Sequence, residues 1–592
     1  MKKLLSLLLT LSLVLGLPAA LANAAYPDGV HNGTAPGMMG NIEVAVTVNG
    51  GKIEKIDILS HSETPGLSDP AFEQVPAAMI EAQGWEVDAV GGATVTSDAL
   101  VEAVKNALTG GGTEAVADIP FEQADVIVVG AGMAGLTSAV RAAELGLNVL
   151  LLEQQPSVGG SAMVAGGTLL GAGTRMQAEA DIADSPELCF ADFVRLGGAG
   201  TFNEEIAREF SEISGEAVDW LDDMGADFGD RKPYFGVYQP LNVARNYSGN
   251  GGAATFIKTL SEKLDNYLGK NAYLSLNTRV ESLLTDGELK VVGVKATLAD
   301  GTTAEYLAPA TIICTGGYGG SESLLTEHNF DNVLSTSPRF VTGDGYRWLA
   351  SLNAAFTNMD FCTSYAGGIR THADDFFNFS YYNTTNGALW VDIHGQRMAD
   401  ETGADSKVKS DSWSNAEQNL VYTVFSKDML IPDAKVFSSG PWGSIAEEFD
   451  PFMASLVEKG VGFEADTVEA LAEKAGLPVD AFAATIQAYN DGCASGQDAF
   501  GRTKQLVAMD KGPFYAVKTM PYVMITSGGP MMTADCEVVN NDGLVIEGVY
   551  IAGEIVGMAN VGGLNSIGGM GHGNCLTWGK QAAEVIAAKL GK

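Results

Sequence analysis

The run Gly130-Ala131-Gly132-Met133-Ala134-Gly135 has the spacing G-x-G-x-x-G. It follows the apolar stretch Asp125 to Val129 and opens the Ala-rich stretch Ala134 to Leu145. Glu153 closes the next apolar run, close to the ~20-residue separation that dinucleotide sites use. Each position has a mechanical reason. Gly130 allows a tight turn, Gly132 lets the backbone approach a pyrophosphate, and Gly135 lets helix and strand pack closely. The first N–H groups of the helix then face phosphate charge. Glu153 is placed to accept from adenosine ribose hydroxyls, with Met133, Ala134 and Gln154 beside it as further cofactor contacts. This segment establishes a dinucleotide; it does not choose between NAD and FAD.

Other chemistries find little support. Cys189, Cys314, Cys362, Cys493, Cys536 and Cys575 have no metal-ligand spacing, and there is no C-x-x-C-H haem attachment run. The six histidines are widely spaced, so no metal site is expected. With 35 Lys+Arg against 73 Asp+Glu, the net charge is -38. A polyanion repels nucleic acid and anionic membrane surfaces.

The elements that must position these residues follow from pattern. Lys2 and Lys3, the apolar run Leu4 to Leu17 and the small residues Ala19 to Ala25 read as a secretory signal peptide, residues 1–24. An exported protein, periplasmic or extracellular, is expected, with no membrane span in the mature chain. Two alternating runs, Ile42 to Val48 and Lys52 to Leu59, flank Asn49-Gly50-Gly51 and predict a hairpin. Helices are expected near Pro76 to Gln83 and over Asp98 to Leu108. Thr109 to Thr113 is a Gly-rich linker. From Phe121 the pattern becomes strand–turn–helix–strand, which implies a parallel sheet. Buried strands are expected at Thr311 to Cys314 and Val549 to Ile551. The stretch Phe361 to Met520, with helical patterns at Thr467 to Ala475 and Val479 to Ala488, reads as an insert.

Distant segments decide the cofactor. Gly159-Gly160-Ser161-Ala162 and Ala165-Gly166-Gly167 resemble the isoalloxazine-contacting segment of the fumarate reductase and flavocytochrome c flavoproteins. Thr315-Gly316-Gly317, Thr342-Gly343-Asp344-Gly345, Pro513-Phe514-Tyr515-Ala516 and Gly548 to Glu554 match the same family in order. The resemblance covers Phe121 to the C-terminus and implies non-covalent FAD. It implies cofactor contacts from Gly160, Ser161, Gly166, Gly167, Thr315, Gly316, Asp344, Glu554, Ser566 and Ile567, with Glu554 on the ribityl side. The implied fold is α/β: a Rossmann-like FAD domain (121–358 and 521–592), an inserted α+β clamp or capping domain (359–520), and a small α+β FMN-binding domain (26–110) before a linker (111–120).

Asp88-Ala89-Val90-Gly91-Gly92-Ala93-Thr94 resembles the flavinylation motif of FMN-binding domains, as does His61-Ser62-Glu63-Thr64-Pro65-Gly66. The resemblance implies FMN esterified through its phosphate to Thr94, with Thr96 as the fallback, and a separate flavin transferase for maturation. Gly91 departs from the usual Ser or Thr. A second flavin would relay electrons from an external donor, a membrane quinol dehydrogenase or another redox protein, to the FAD.

Family members reduce an activated C=C bond by hydride from FAD N5 and a proton from an Arg in the clamp. Gly395-Gln396-Arg397-Met398-Ala399-Asp400-Glu401 resembles that Arg segment and makes Arg397 its counterpart. The family's relay to that Arg falls near Tyr381 and Thr384, so Glu401 or Asp400 would have to substitute. Three substrate positions also differ. Tyr365, as in urocanate reductases, stands where a dicarboxylate-binding His is usual, Ile525 stands for a second His, and Ser566 stands for a carboxylate-gripping Arg. Losing that bidentate fork argues against fumarate. An apolar or aromatic enoate with at most one carboxylate fits better, with Tyr365 and Arg397 as catalytic residues and His572, Arg370 and His372 as candidate anchors. Two alternatives are a 3-oxosteroid dehydrogenase-like enzyme, which also uses Tyr, and a non-catalytic flavin electron shuttle.

Overall fold

The computed structural model describes residues 26–592 except 37–40, 62, 64–67, 86, 88, 91–93, 110–118, 237–240, 288–289, 331–332, 363, 373–374, 380–384, 404–410, 414–415, 433–435 and 441–442. The signal-peptide segment, residues 110–113 of the Gly-rich linker, Asp88 and residues 91–93 of the flavinylation motif, Tyr381 and Thr384 lie outside the described residues. The chain divides into two compact units, one formed mainly by residues before Ile119 and one from Ile119 onward.

In the first unit, β1 (Gly29–Pro36), β2 (Asn41–Asn49) and β3 (Lys52–Ser60) form an antiparallel sheet in that order. The hairpin forms where alternation and Asn49-Gly50-Gly51 place it. Ile42, Val44, Val46 and Val48 recur every second residue and are buried on one face. Against that face pack α1 (Asp69–Ala82) and α2 (Thr94–Thr109). In α2 the buried residues Leu100, Ala103, Val104 and Ala107 recur at three to four. Gly33 of β1 touches α2 directly, since a Cβ there would meet the Ala103 carbonyl oxygen at 2.1 Å.

The second unit is built on a six-stranded sheet. Its central strands are β4 (Val126–Val129) and β5 (Val149–Leu152), joined by α3 (Met133–Glu144). Every residue of both strands is buried, as a parallel strand covered on two faces requires. Strand Ala310–Ile313 pairs with β4, Val545–Ile551 pairs with Ala310–Ile313, and Ala272–Ser275 closes the other edge, all parallel. Glu537–Val539 adds one antiparallel strand. The helix Met570–Lys589 packs against α3, and Gly579 makes this close, its absent Cβ lying 2.9 Å from the Ala134 carbonyl.

Among the described residues the insert supplies eight strands of a nine-stranded sheet, with an apolar core around Trp390, Trp413, Phe425, Phe482 and Tyr489. Its hub is the long strand Phe514–Val523, which pairs with Ser364–His372 and Val421–Ser426. The same strand also takes Leu334–Ser335, from before the insert, as a parallel partner. One strand thus pairs both with segments inside residues 359–520 and with a segment before them. Among the described residues no helix is long and apolar enough to cross a membrane.

Candidate cofactor and active site

A cavity of about 470 Å³ opens at the carboxyl ends of the parallel strands, where open α/β sheets bind ligands. Its wall begins at β4. Gly130 sits at φ 98°, and its N–H donates to the Leu152 carbonyl at 2.8 Å. A Cβ on Gly130 would lie 2.5 Å from the Cys314 carbonyl oxygen, so the turn admits no other residue. A Cβ on Gly135 would fall 1.7 Å from the Gly130 oxygen, which is why helix and strand pack this tightly. The first turn of α3, with Gly132 as its cap, then faces the cavity through Gly132, Met133 and Ala134. Glu153 is buried, and its Oε2 accepts the Ala131 N–H at 2.6 Å, fixing the turn. It also lines the cavity, as does Gln154, whose amide donates to the Phe340 carbonyl.

Gly160, Ser161, Gly166 and Gly167 form a neighbouring wall. The Gly159 N–H donates to the Ala131 carbonyl at 2.8 Å, so the two glycine segments touch. Thr315 and Gly316 leave the strand Ala310–Ile313 and line the same space. Asp344 is held by Arg279 and Arg347. Glu554 is buried and accepts from Thr526 N–H and Oγ1–H, both at 2.9 Å, while burial raises its pKa. Ser566 and Ile567 complete this wall. A trough of bare glycine backbone at a helix N-terminus and a buried carboxylate fit a dinucleotide's pyrophosphate and ribose. The thiols of Cys314 and Cys575 also line the cavity. Burial pushes Cys575 up to about 12 and raises Cys314, so both are inert thiols.

At the insert side of the cavity, Tyr365 and Ser566 share a hydrogen bond of 2.6 Å between their hydroxyls. Tyr365 comes from strand Ser364–His372, and Ser566 from the loop before the last helix. Ile525 and His572 stand on the same wall. Of the three candidate anchors, His572 lines the cavity, Arg370 is exposed and does not, and the side chain of His372 is outside the described residues.

Arg397 requires a correction. It does not line the cavity. Its Nε and Nη2 donate to the two oxygens of Glu401 at 2.9 and 2.8 Å, and Nη1 donates to Asp498. Its side chain is 5% exposed, and its guanidinium lies between buried Tyr489 and exposed Phe500. Arg502 shares Glu401. Burial alone would lower the Arg397 pKa, but the two carboxylates reverse that and raise it. In this structure its guanidinium is engaged by two carboxylates and is not part of the cavity lining. The G-x-R segment is a structural ion-pair network. Asp400 caps its own turn through Thr402.

In the first unit Thr94 is the first residue of α2, with its side chain outside the described residues. Thr96, the fallback, is 5% exposed and donates to Glu63 Oε2 at 2.5 Å. That hydroxyl is already engaged. Asp498 and Arg502 were missed as partners of Arg397 and Glu401, because those contacts span 101 residues of chain; Glu63 was singled out in its segment, but its contact with Thr96, 33 residues away, leaves no local signal.

The strand–glycine-turn–helix, the buried Glu153 and the glycine-lined trough define a dinucleotide-binding flavoprotein architecture. The chain belongs to the FAD-binding domain family, whose profile matches residues 125–571. An FMN-binding domain profile matches residues 37–109. FAD and FMN are therefore its cofactors. Over 583 residues the chain is 27% identical to the NADH:fumarate oxidoreductase of Klebsiella pneumoniae, covering 96% of this chain and 60% of that protein. It is 27% identical to the urocanate reductase of Eggerthella lenta, covering 94% and 92%. A flavocytochrome c3 fumarate reductase in its open conformation shares the fold, with a TM-score of 0.64 at 23% identity, covering 91% of this chain and 89% of that one.

Proposed function

We propose that the chain reduces an activated C=C bond of a small organic acceptor in the cavity of the second unit. The observation that carries this reading is that one cavity gathers the glycine walls, Glu153 and Glu554 together with the Tyr365–Ser566 hydroxyl pair. FAD supplies hydride chemistry when bound there. The protein's own residues do the rest. Glu153, Gln154 and the α3 N-terminus hold the adenosine and pyrophosphate end, and Glu554 holds the ribityl side. Tyr365, supported by Ser566, orients the acceptor and delivers the proton at its Oη, the role the sequence had given to Arg397. Residues 359–520 act as the clamp over the acceptor. Thr94 would carry FMN, attached by a flavin transferase, and the bound group would supply electron relay from an external donor. The signal-peptide pattern of residues 1–24 supports export. The relatives' reductions of fumarate and urocanate support the reaction class. Tyr365, Ile525 and Ser566 argue for an acceptor other than fumarate.

The test is anaerobic re-oxidation of the dithionite-reduced full chain by fumarate, urocanate, acrylate, cinnamates and a 3-oxosteroid. An aromatic or apolar enoate is expected to re-oxidise the flavin, and fumarate is not. Response to the steroid alone would favour the dehydrogenase-like reading. Response to none would leave an electron shuttle. Mass spectrometry of chain matured with a flavin transferase should show an FMN adduct that Thr94→Ala abolishes.

A further inference from the structure

His572 lies in the first turn of the helix Met570–Lys589 and on the cavity wall. Its Nδ1 is 2.9 Å from the Thr168 carbonyl oxygen. A carbonyl only accepts, so Nδ1 carries the proton. Burial lowers the ring's pKa against a smaller opposing effect of that hydrogen bond, which keeps the imidazole neutral. The helix N-terminus disfavours a positive charge there as well. The proton count then fixes the other nitrogen. Nε2 is a bare lone pair, without a hydrogen-bond partner among the described residues, and it is not one of the buried polar atoms sealed from the cavity.

We infer that His572 is a ligand-recognition residue whose Nε2 accepts a hydrogen bond from an N–H or O–H group of the molecule bound in the cavity. This rests on the reading of the cavity as the site of FAD and acceptor. Two sources have this chemistry: the imide N–H of the flavin ring and a hydroxyl on the organic acceptor. A carboxylate facing Nε2 would set lone pair against lone pair with no countercharge, so His572 is not the carboxylate anchor its type suggests in the sequence. Its surroundings agree. Ile525 packs at the adjacent Gly571, its Cδ1 3.0 Å from where a Cβ would stand, and the Tyr365–Ser566 pair is uncharged.

Two variants of the full chain test this. His572→Leu removes the acceptor, and His572→Gln keeps an oxygen near the Nε2 position. FAD affinity is measured by titrating apo-protein, and KM is compared for an acceptor with a phenolic hydroxyl and the same acceptor without it. His572→Leu is expected to weaken either FAD binding or the KM of the hydroxylated acceptor about 10-fold or more. The hydroxyl-free acceptor should change little, and His572→Gln should recover most of the loss. A loss in FAD affinity assigns the flavin imide; a loss confined to the hydroxylated acceptor assigns the substrate. If FAD affinity and both KM values stay at wild-type levels, the inference fails. Should His572→Leu not fold, the wild-type chain decides. With six histidines in all, ¹⁵N-histidine spectra can show whether Nδ1 is protonated and Nε2 bare. The opposite tautomer overturns the inference. A wild-type chain that takes up no FAD sinks the cavity reading itself, which is a separate result.

Discussion

Two side chains exchange roles once their surroundings are known. Arg397 has its donors on Glu401 and Asp498, so removing it leaves two carboxylates in a core with only Arg502 beside Glu401. Breaking a buried pair of this kind costs about 3–5 kcal/mol. Arg397→Ala is expected to lower the denaturant midpoint by that amount while turnover per bound flavin, measured on the folded fraction in the cold, stays within about threefold. Loss of turnover with stability intact would return Arg397 to the reaction. Tyr365→Phe should do the reverse, keeping FAD and stability while kcat falls by roughly 10²–10⁴. His572 gives a stability signature of its own. Its folded pKa lies below the unfolded value of about 6.5. As pH falls through that value, the unfolded chain takes up a proton that the folded ring refuses, so stability drops. Urea melts of His572→Gln should show a flatter decline over the same range.

At the scale of elements, legibility followed the periodicity of the chain. The strand–turn–helix at Val126 to Leu152 was readable because four buried residues, a glycine turn and an Ala-rich helix are contiguous. The hairpin of β2 and β3 was readable for the same reason. The G-x-R segment was readable as a motif, but its surroundings were not. Nothing local records that its guanidinium faces Asp498, 101 residues on, and not the cavity. The tautomer of His572 was equally hidden, since it depends on a carbonyl 404 residues away. The glycines separate into two kinds. Gly135 has no room for a Cβ, whereas a Cβ on Gly166, which lines the cavity, meets nothing within 4 Å. Gly135→Ala should therefore abolish folding of the second unit. Gly166→Ala should melt like the wild-type apo-protein yet bind FAD more weakly, as thermal melts and FAD titration would show.

For the whole molecule, the net charge of -38 governs encounters more than architecture. A reduced cationic viologen should deliver electrons faster at low salt and lose that advantage as the Debye length shrinks to about 8 Å. Dithionite, an anion, should speed up over the same change. Stopped-flow flavin bleaching at 10 and 200 mM salt distinguishes the two, and parallel responses would mean that the donor-facing surface does not share the overall charge. The sheet carries a different consequence, one of timing. β4 is made early, but Ala310–Ile313 is flanked by it and by Val545–Ile551, which leaves the ribosome more than 230 residues after Ala310–Ile313. At ~5–20 residues per second, synthesis leaves that edge unpaired for roughly 12–46 s. High contact order of this kind makes the flavin domain the last part of the chain able to fold. Until the C-terminal strand arrives, the nascent protein holds an open sheet edge and no complete cofactor site. Its hazard is therefore aggregation before completion, and a ribosome stalled ahead of residue 545 would release a chain unable to keep FAD.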